Sequence, residues 1–233
     1  MMPFAFWPTS PVISRGWLDF LDFATARADG TWLFRGRSNA GFELIPAIGR
    51  QNAVSAYRLA DEKILFEEFV QHAKRYIDAQ GLTQLEWLAL AHHYGLPTRL
   101  LTWSPNPLVA ASQAAQEEEQ AMDAEVVALR VPCVRRLRLV EPFDGAQHAP
   151  LIVEVFSPVL AQAAVSGFYS LHPDPQTPWQ PGPPAFEASA FAIPASEKAD
   201  FRRFLHVFGH DLQLRQASLD GLAQTLGWRY RQR

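Results

Sequence analysis

One helix with clear boundaries limits how this chain can fold. Thr83 and Glu86 have the spacing of a capping box, in which each side chain bonds the backbone N–H of the other residue. The residues that follow are apolar on almost every side, which predicts a central, buried helix. Gly95 suits the left-handed conformation just past a helix end, and Pro97 prevents continuation. Arg99 comes next, and loops after helix ends often carry functional side chains.

The other elements follow from hydrophobic periodicity and turn residues. Helices are predicted at residues 14–23, 53–79, 107–115, 196–209 and 218–227, with N-caps at Ser14, Asn106, Ser196 and Ser218. Strands are predicted at residues 31–35, 125–132, 151–156, 167–171 and 186–193, with Gly36 ending the first. Helices therefore come first, strands later, and helices again at the end. This order predicts a single-domain α+β fold, with N-terminal and C-terminal helices around a mixed or antiparallel sheet.

The long helix at residues 53–79 is predicted to be amphipathic. Its apolar face is spaced at one helical turn and is made of Leu65, Phe69, Ala73 and Tyr76. Its solvent-facing side is assigned to Glu62, Lys63, Glu67 and Glu68. We therefore expect Tyr76 to be buried and Glu62 to be exposed.

The composition limits the class of protein. The 233 residues are 48% hydrophobic and 19% charged, which is typical of a globular protein with a substantial core. A net charge of -3 is unlike the basic footprint of a general nucleic-acid binder. The single Cys133 excludes an intrachain disulfide, no Cys/His spacing predicts a metal site, and no apolar run is long enough to span a membrane. We expect a cytoplasmic protein without metal. Two arginine clusters are expected at solvated edges: Arg135, Arg136 and Arg138, and Arg229, Arg231 and Arg233.

Several motifs resemble the FRG-domain family, a group of mostly bacterial and phage proteins named for a Phe/Tyr-Arg-Gly motif. The longest match runs from His93 to Leu101 and continues through Trp103 and Asn106–Ala110. The naming motif lies in Leu33–Asn39, followed by Leu44–Pro46. Two later segments, Gly167–Pro173 and Leu219–Ala223, also resemble family segments. The resemblance predicts an N-terminal extension at residues 1–30 and an FRG-like domain at residues 31–228.

The chain departs from the family pattern at two polar positions. Thr102 stands where the family usually has Asp, and Val165 stands where it usually has Gln. Either change puts a family activity in doubt. The order of motifs is also similar, more remotely, to that of ADP-ribosyltransferases, which place an arginine on an early strand, a Ser/Thr-rich strand next and a glutamate late. This second similarity implies NAD as a possible substrate.

Two arginines are candidates for anion binding. Arg35 is predicted at a strand end, where it suits bidentate binding of a dinucleotide pyrophosphate, and Gly36 would allow close backbone approach. Thr98 and Arg99 would add hydrogen bonds to such a ligand. Alternatively, Arg35 and Arg99 pair with core carboxylates and brace the strands, and Thr98 only closes a turn. The sequence favours neither interpretation.

The histidines and the aromatic residue at the end of the central helix have different expected roles. His93 and Tyr94 lie at the helix C-terminus and are candidate catalytic and ligand-binding residues, respectively. His92 shares the side of Leu85 and Leu88, so it is expected to be a hydrogen-bonded core histidine.

A carboxylate is needed if the chain cleaves the glycosidic bond of NAD, because positive charge then develops on the ribose. The candidates are Glu154 and Glu187, both on or near predicted strands, and Glu154 lies nearer the third family segment. Trp103 is a candidate for stacking on a ligand ring, although a core role is the commoner one for tryptophan.

Three functions are compatible with these observations. The first is a nucleotide-related enzyme that cleaves NAD in a bacterial or phage toxin or defence setting. The second is a non-catalytic module that binds a nucleotide or phosphate, which the residues Thr102 and Val165 favour. The third is a partner-binding component of a toxin or defence pair, in which the proline-rich loop at residues 172–184 contacts another protein.

Overall fold

The structure is a computed structural model that describes residues 13–50, 56–77, 80–116, 121–131, 140–144, 148–156 and 167–210, together with residues 223 and 227. Several residues named above lie outside these ranges: Cys133, Val165, Ser218, both arginine clusters and most of the predicted last helix. No helix in the described ranges is long and apolar enough to cross a membrane.

The described residues form five α-helices and six strands, with helices before and after the strands, so the predicted α+β class is confirmed. The helices are α1 (Arg15–Thr25), α2 (Leu59–Ala73), α3 (Gln84–His93), α4 (Pro107–Ala114) and α5 (Lys198–Val207). The strands are β1 (Trp32–Arg37), β2 (Leu100–Trp103), β3 (Ala124–Arg130), β4 (Leu151–Val155), β5 (Gly167–Leu171) and β6 (Glu187–Ile193). The chain forms two compact units, each with one sheet. The predicted domain boundaries at residues 31 and 228 remain predictions.

Unit 1 consists of Met1–Phe42, Ser104–Arg130 and Glu187–Arg233. Its antiparallel sheet has the order β1-β3-β6. One sheet face packs on α1, α4 and α5 around an aromatic core that includes Trp17, Phe20, Phe34 and Phe201. Phe34 also exchanges two backbone hydrogen bonds with Ser104, at 2.7 and 2.8 Å.

Unit 2 consists of Glu43–Trp103 and Val131–Phe186. Its antiparallel sheet has the order β2-β5-β4, so β5 is central. Leu100, Tyr169 and Leu171 line the face that packs with Leu85 and Leu88 of α3. Strand β2, which carries part of the longest family motif, was not among the predicted strands because its four residues show no alternation of apolar and polar side chains.

The predicted helix caps are confirmed at three of the four positions that the sequence singled out in the described ranges. Thr83 and Glu86 form the capping box of α3, Ser14 accepts from Trp17 N–H, and Asn106 accepts from Leu108 N–H. Ser196 does not cap α5, because a 3-10 turn over Ala195–Glu197 leads into that helix.

The ends of two helices, α3 and α2, can be compared with the ends predicted from the sequence. Gly95 has a φ of +87°, which confirms its predicted left-handed conformation after α3. Helix α2 ends at Ala73, earlier than the predicted residue 79. Tyr76 therefore lies beyond the helix and is 84% exposed, so its predicted burial was wrong.

Gly36 does not end the first strand, as was predicted, but lies inside β1, which continues to Arg37. It is needed for packing: a Cβ at this position would lie 2.0 Å from the backbone oxygen of Ala110 and 2.6 Å from the backbone N of Ala114. Helix α4 therefore occupies the space beside Gly36 that was assigned to a pyrophosphate.

We expect Gly36→Ala to lower the free energy of unfolding by about 1–3 kcal/mol or more, because the added methyl group meets helix backbone that cannot move locally. Urea unfolding followed by circular dichroism measures the change. Gly182→Ala is the matched control, since a Cβ at that position meets nothing within 4 Å. Equal stability of the two variants would contradict the packing role of Gly36.

Candidate functional site

Arg99 forms a buried ion pair with Glu62 in unit 2. The side chains are 3% and 2% exposed, respectively. Arg99 Nε lies 3.0 Å from Glu62 Oε1, and Nη2 lies 2.5 Å from Oε2, which is the two-point geometry in which a guanidinium binds a carboxylate. Glu62 was expected to face solvent, and that prediction was wrong. Its position four residues before the buried Phe66 places it on the inner side of α2, a signal that the charge pattern concealed.

The remaining donors of Arg99 are also used inside unit 2. Nη2 donates to Tyr57 Oη at 2.9 Å, and Nη1 donates to the carbonyl oxygens of Pro142 and Pro173 at 3.1 and 3.5 Å. A guanidinium has five N–H donors, and with the two bonds to Glu62 these contacts account for all of them. Tyr57 donates in turn to Glu62 at 2.7 Å, and burial raises the pKa of Tyr57 well above its usual range. Arg99 therefore has the bracing role, with no donor left for a ligand.

Thr98 and Thr102 hold His92 between them. His92 Nδ1 lies 2.8 Å from Thr98 Oγ1, and Nε2 lies 2.8 Å from Thr102 Oγ1. The ring of Tyr169 contacts the histidine edge-on at 5.8 Å, and burial raises the pKa of Tyr169 to about 12. These contacts give His92 the hydrogen-bonded role that was expected for it. Thr98, which is 1% exposed, is part of this network and not of an open cleft.

His93 and Tyr94 lie on the surface at the end of α3. Tyr94 is 62% exposed, and its ring meets the ring of His93 at 5.2 Å in a perpendicular contact. Partial burial lowers the pKa of His93, which favours the neutral imidazole at pH 7. These two predicted site residues are accessible, but no side-chain hydrogen bond links them to the Arg99 network within the described residues.

Trp103 is a core residue with a specific hydrogen bond. It is 2% exposed, and its Nε1 donates to Ser170 Oγ at 3.0 Å. Ser170 Oγ also lies 2.9 Å from His172 Nε2, and both side chains are fully buried. Neither Ser170 nor His172 was singled out from the sequence. The available signal was their spacing of two residues, which places both on the same side of β5 and its end. Burial leaves no accessible ring face on Trp103 for a ligand.

Glu154 shares a sheet face with Trp103. Both residues pair with Phe168 of the central strand, which places Trp103, Phe168 and Glu154 in one row across β2, β5 and β4. Glu154 and Phe168 are half-buried. The structure thus brings together two predicted site residues, a tryptophan and a carboxylate, on one face of the unit 2 sheet. The other candidate carboxylate, Glu187, is exposed and pairs with Arg130 at 3.1 Å.

Arg35 lies in unit 1, in the middle of β1. It is half-buried and pairs with Val127 of β3, on the face opposite Phe34. Arg37 on the same face forms an ion pair with Glu125, and burial lowers the pKa of Arg37. Arg35, Gly36 and Glu187 therefore belong to unit 1, and the other predicted site residues belong to unit 2.

The proline-rich loop at residues 172–184 is fixed to unit 2 by Trp179. The backbone N–H of Trp179 donates to Leu44 O at 3.1 Å, and its ring contacts Trp103, His172 and Phe186 edge-on. Contact between this loop and a protein partner remains a prediction.

Residues 30–123 match the family model described as FRG domain. This part of the chain is similar to the FRG domain. The match begins before β1 and ends before β3, so it includes Arg35, Glu62, the whole of α3 and Arg99. This confirms the resemblance for the motifs between Leu33 and Ala110, whereas the segments Gly167–Pro173 and Leu219–Ala223 lie outside the match. Neither a curated protein nor a solved structure matches the chain. No group of three or more His, Cys, Asp or Glu side chains suited to a metal ion occurs in the described part of the chain.

We expect Arg99→Ala to lower the free energy of unfolding by about 3–5 kcal/mol, because it leaves the Glu62 carboxylate buried without its partner. Arg99→Lys should also destabilise the protein, since an ammonium group cannot reproduce the two-point contact. Urea unfolding measures both.

The matched control is Arg58→Ala, which removes an exposed pair with Asp61 just before the same helix. We expect it to change stability very little. A loss in Arg99→Ala no larger than that in Arg58→Ala would contradict the bracing role.

Proposed function

We propose that this FRG-domain protein binds a nucleotide, with NAD as the first candidate, and cleaves the bond between nicotinamide and ribose. The observation that carries the proposal is the order, along the chain, of three side chains that lie on strands. Arg35 lies on β1, Thr102 on β2 and Glu154 on the later strand β4. This is the order of arginine, Ser/Thr strand and late glutamate that the similarity to ADP-ribosyltransferases emphasises.

Arg35 is the anion-binding residue in this proposal. Arg99 cannot take this role because its donors are used by Glu62, Tyr57 and two carbonyl oxygens. A planar guanidinium on a strand offers two parallel N–H donors, which fit two oxygens of a pyrophosphate. Gly36 packs against α4 and has no role in ligand binding in this proposal.

Glu154 is the carboxylate that would act on the reacting sugar. When the glycosidic bond breaks, its electron pair leaves with nicotinamide and positive charge develops on the ribose carbon. A carboxylate fixed on a strand stabilises that charge without reorganising. Water or a nucleophilic side chain of a target then forms the new bond to this carbon and gives up a proton.

Binding without turnover is the second candidate function. Thr102 replaces the usual family Asp, and its Oγ1 is hydrogen-bonded to His92. An acidic group is therefore missing at a position where the family usually carries one. In this version the domain recognises a nucleotide in a toxin or defence setting but leaves it intact.

The test is incubation of the purified protein with NAD, alone and with cell lysate, followed by mass spectrometry of released nicotinamide. We expect release by the wild-type protein, and a loss of about 100-fold or more in Arg35→Ala and in Glu154→Gln. Glu68→Gln, an exposed carboxylate on α2, is the matched control and should retain full release.

The outcomes separate the candidates. NAD binding by calorimetry without nicotinamide release supports the second function. Release that is lost in Glu187→Gln but kept in Glu154→Gln contradicts the choice of carboxylate. If the protein neither binds NAD nor releases nicotinamide, the nucleotide proposal itself is contradicted.

A further inference from the structure

A groove at the end of α2 in unit 2 takes no part in the proposed function. It encloses about 740 Å³, which is within the range of small-molecule binding sites. The residues that line it include Lys74, Arg75, Tyr76 and Trp87, and they come from the region after α2 and the start of α3.

Tyr76 presents an open aromatic ring in this groove. It is 84% exposed, because α2 stops three residues earlier and the chain turns, with Tyr76 N–H donating to Ala73 O at 2.9 Å. The ring makes no contact with another ring, and the hydroxyl makes no hydrogen bond, within the described residues. The fold therefore gives Tyr76 no packing role. Trp87, which is 7% exposed, borders the same space.

Two cations lie beside this ring. Lys74 and Arg75 are exposed, and neither forms an ion pair with a carboxylate in the ranges that the structure describes. Their place after the last turn of α2 suits the helix dipole, which explains a positive charge there but not the exposed aromatic ring. The carboxylate of Glu86 at the start of α3 is already bonded to Thr83 N and Oγ1, at 2.7 and 2.9 Å.

We propose that this groove binds a phosphate group attached to a planar base, with Lys74 and Arg75 at the phosphate and Tyr76 under the base. An aromatic platform next to unpaired cations is the combination with which proteins bind nucleotides and single strands without reading sequence. A free nucleotide and the terminal nucleotide of a single strand present the same chemistry. The groove contains neither Arg35 nor Glu154, so this inference does not depend on the proposed function.

The experiment is isothermal titration calorimetry of the full chain at low ionic strength, with AMP, adenosine and inorganic phosphate as separate probes. We expect AMP to bind more tightly than either fragment. Lys74→Ser with Arg75→Ser should weaken AMP binding about tenfold or more, through the loss of charged hydrogen bonds. Tyr76→Ala should weaken AMP binding but leave phosphate binding unchanged.

Lys63→Ser is the matched control, because Lys63 is an exposed cation on the same helix outside the groove, and we expect it to bind AMP like the wild type. Arg35→Ala distinguishes the groove from the proposed NAD site. If AMP binding persists in this variant but is lost in the Lys74/Arg75 variant, AMP binds in the groove. Unchanged AMP affinity in the Lys74/Arg75 variant would overturn the inference, whatever the result with NAD. So would equal affinity for AMP and phosphate.

A short single-stranded oligonucleotide then distinguishes the two sources of the ligand. Tighter binding than AMP, weakened by the same substitutions, identifies a strand end as the ligand. Binding no tighter than AMP identifies the free nucleotide.

Discussion

The ion pair between Arg99 and Glu62 is the interaction on which the arrangement of unit 2 depends. Removing a charged side chain from water costs several kcal/mol, and only close pairing and full hydrogen bonding offset that cost. Arg99 meets this condition by contacting Tyr57, Glu62, Pro142 and Pro173, which come from three separate segments of the chain. Each of those segments is therefore fixed relative to Arg99, which lies immediately before β2.

This dependence changes what the longest FRG motif means physically. Its central residues have internal roles: Gly95 ends α3 in a left-handed conformation, Thr98 bonds His92, and Arg99 pairs with Glu62. Its exposed residues lie at its beginning: His93, Tyr94, Gly95 and Pro97. The motif therefore serves mainly to join α3 to β2 and to anchor that junction in the core. The chemistry that we propose is assigned to other residues, Arg35 of β1 and Glu154 of β4.

Local signals in the sequence were sufficient for several elements and insufficient for others. The capping box of α3 and the stop at Gly95 were predictable because both depend on residues a few positions apart. The burial of Glu62 was not predictable from helix periodicity, because its partner lies 37 residues away and a charged residue on a helix is normally solvated. The role of Gly36 was missed for a similar reason: a glycine in a strand signals close approach, but not whether a helix or a ligand approaches.

The site itself was predictable only in part. The sequence singled out Arg35, Trp103 and Glu154 as candidates, but the pairing of Trp103 and Glu154 with Phe168 depends on strand register, which the pattern alone does not fix. The hydrogen bond from Trp103 to Ser170 likewise requires two strands to be adjacent.

The most direct test of this account is nitrogen-15 NMR of the Arg99 side chain in the folded protein, with and without NAD. A guanidinium whose N–H groups are all hydrogen-bonded and buried should show slowly exchanging protons at neutral pH. Its resonances should not shift when NAD is added. Rapid exchange with solvent, or a shift of the Arg99 Nε–H resonance upon NAD addition that persists in the Arg35→Ala variant, would contradict the assignment of Arg99 as an internal brace.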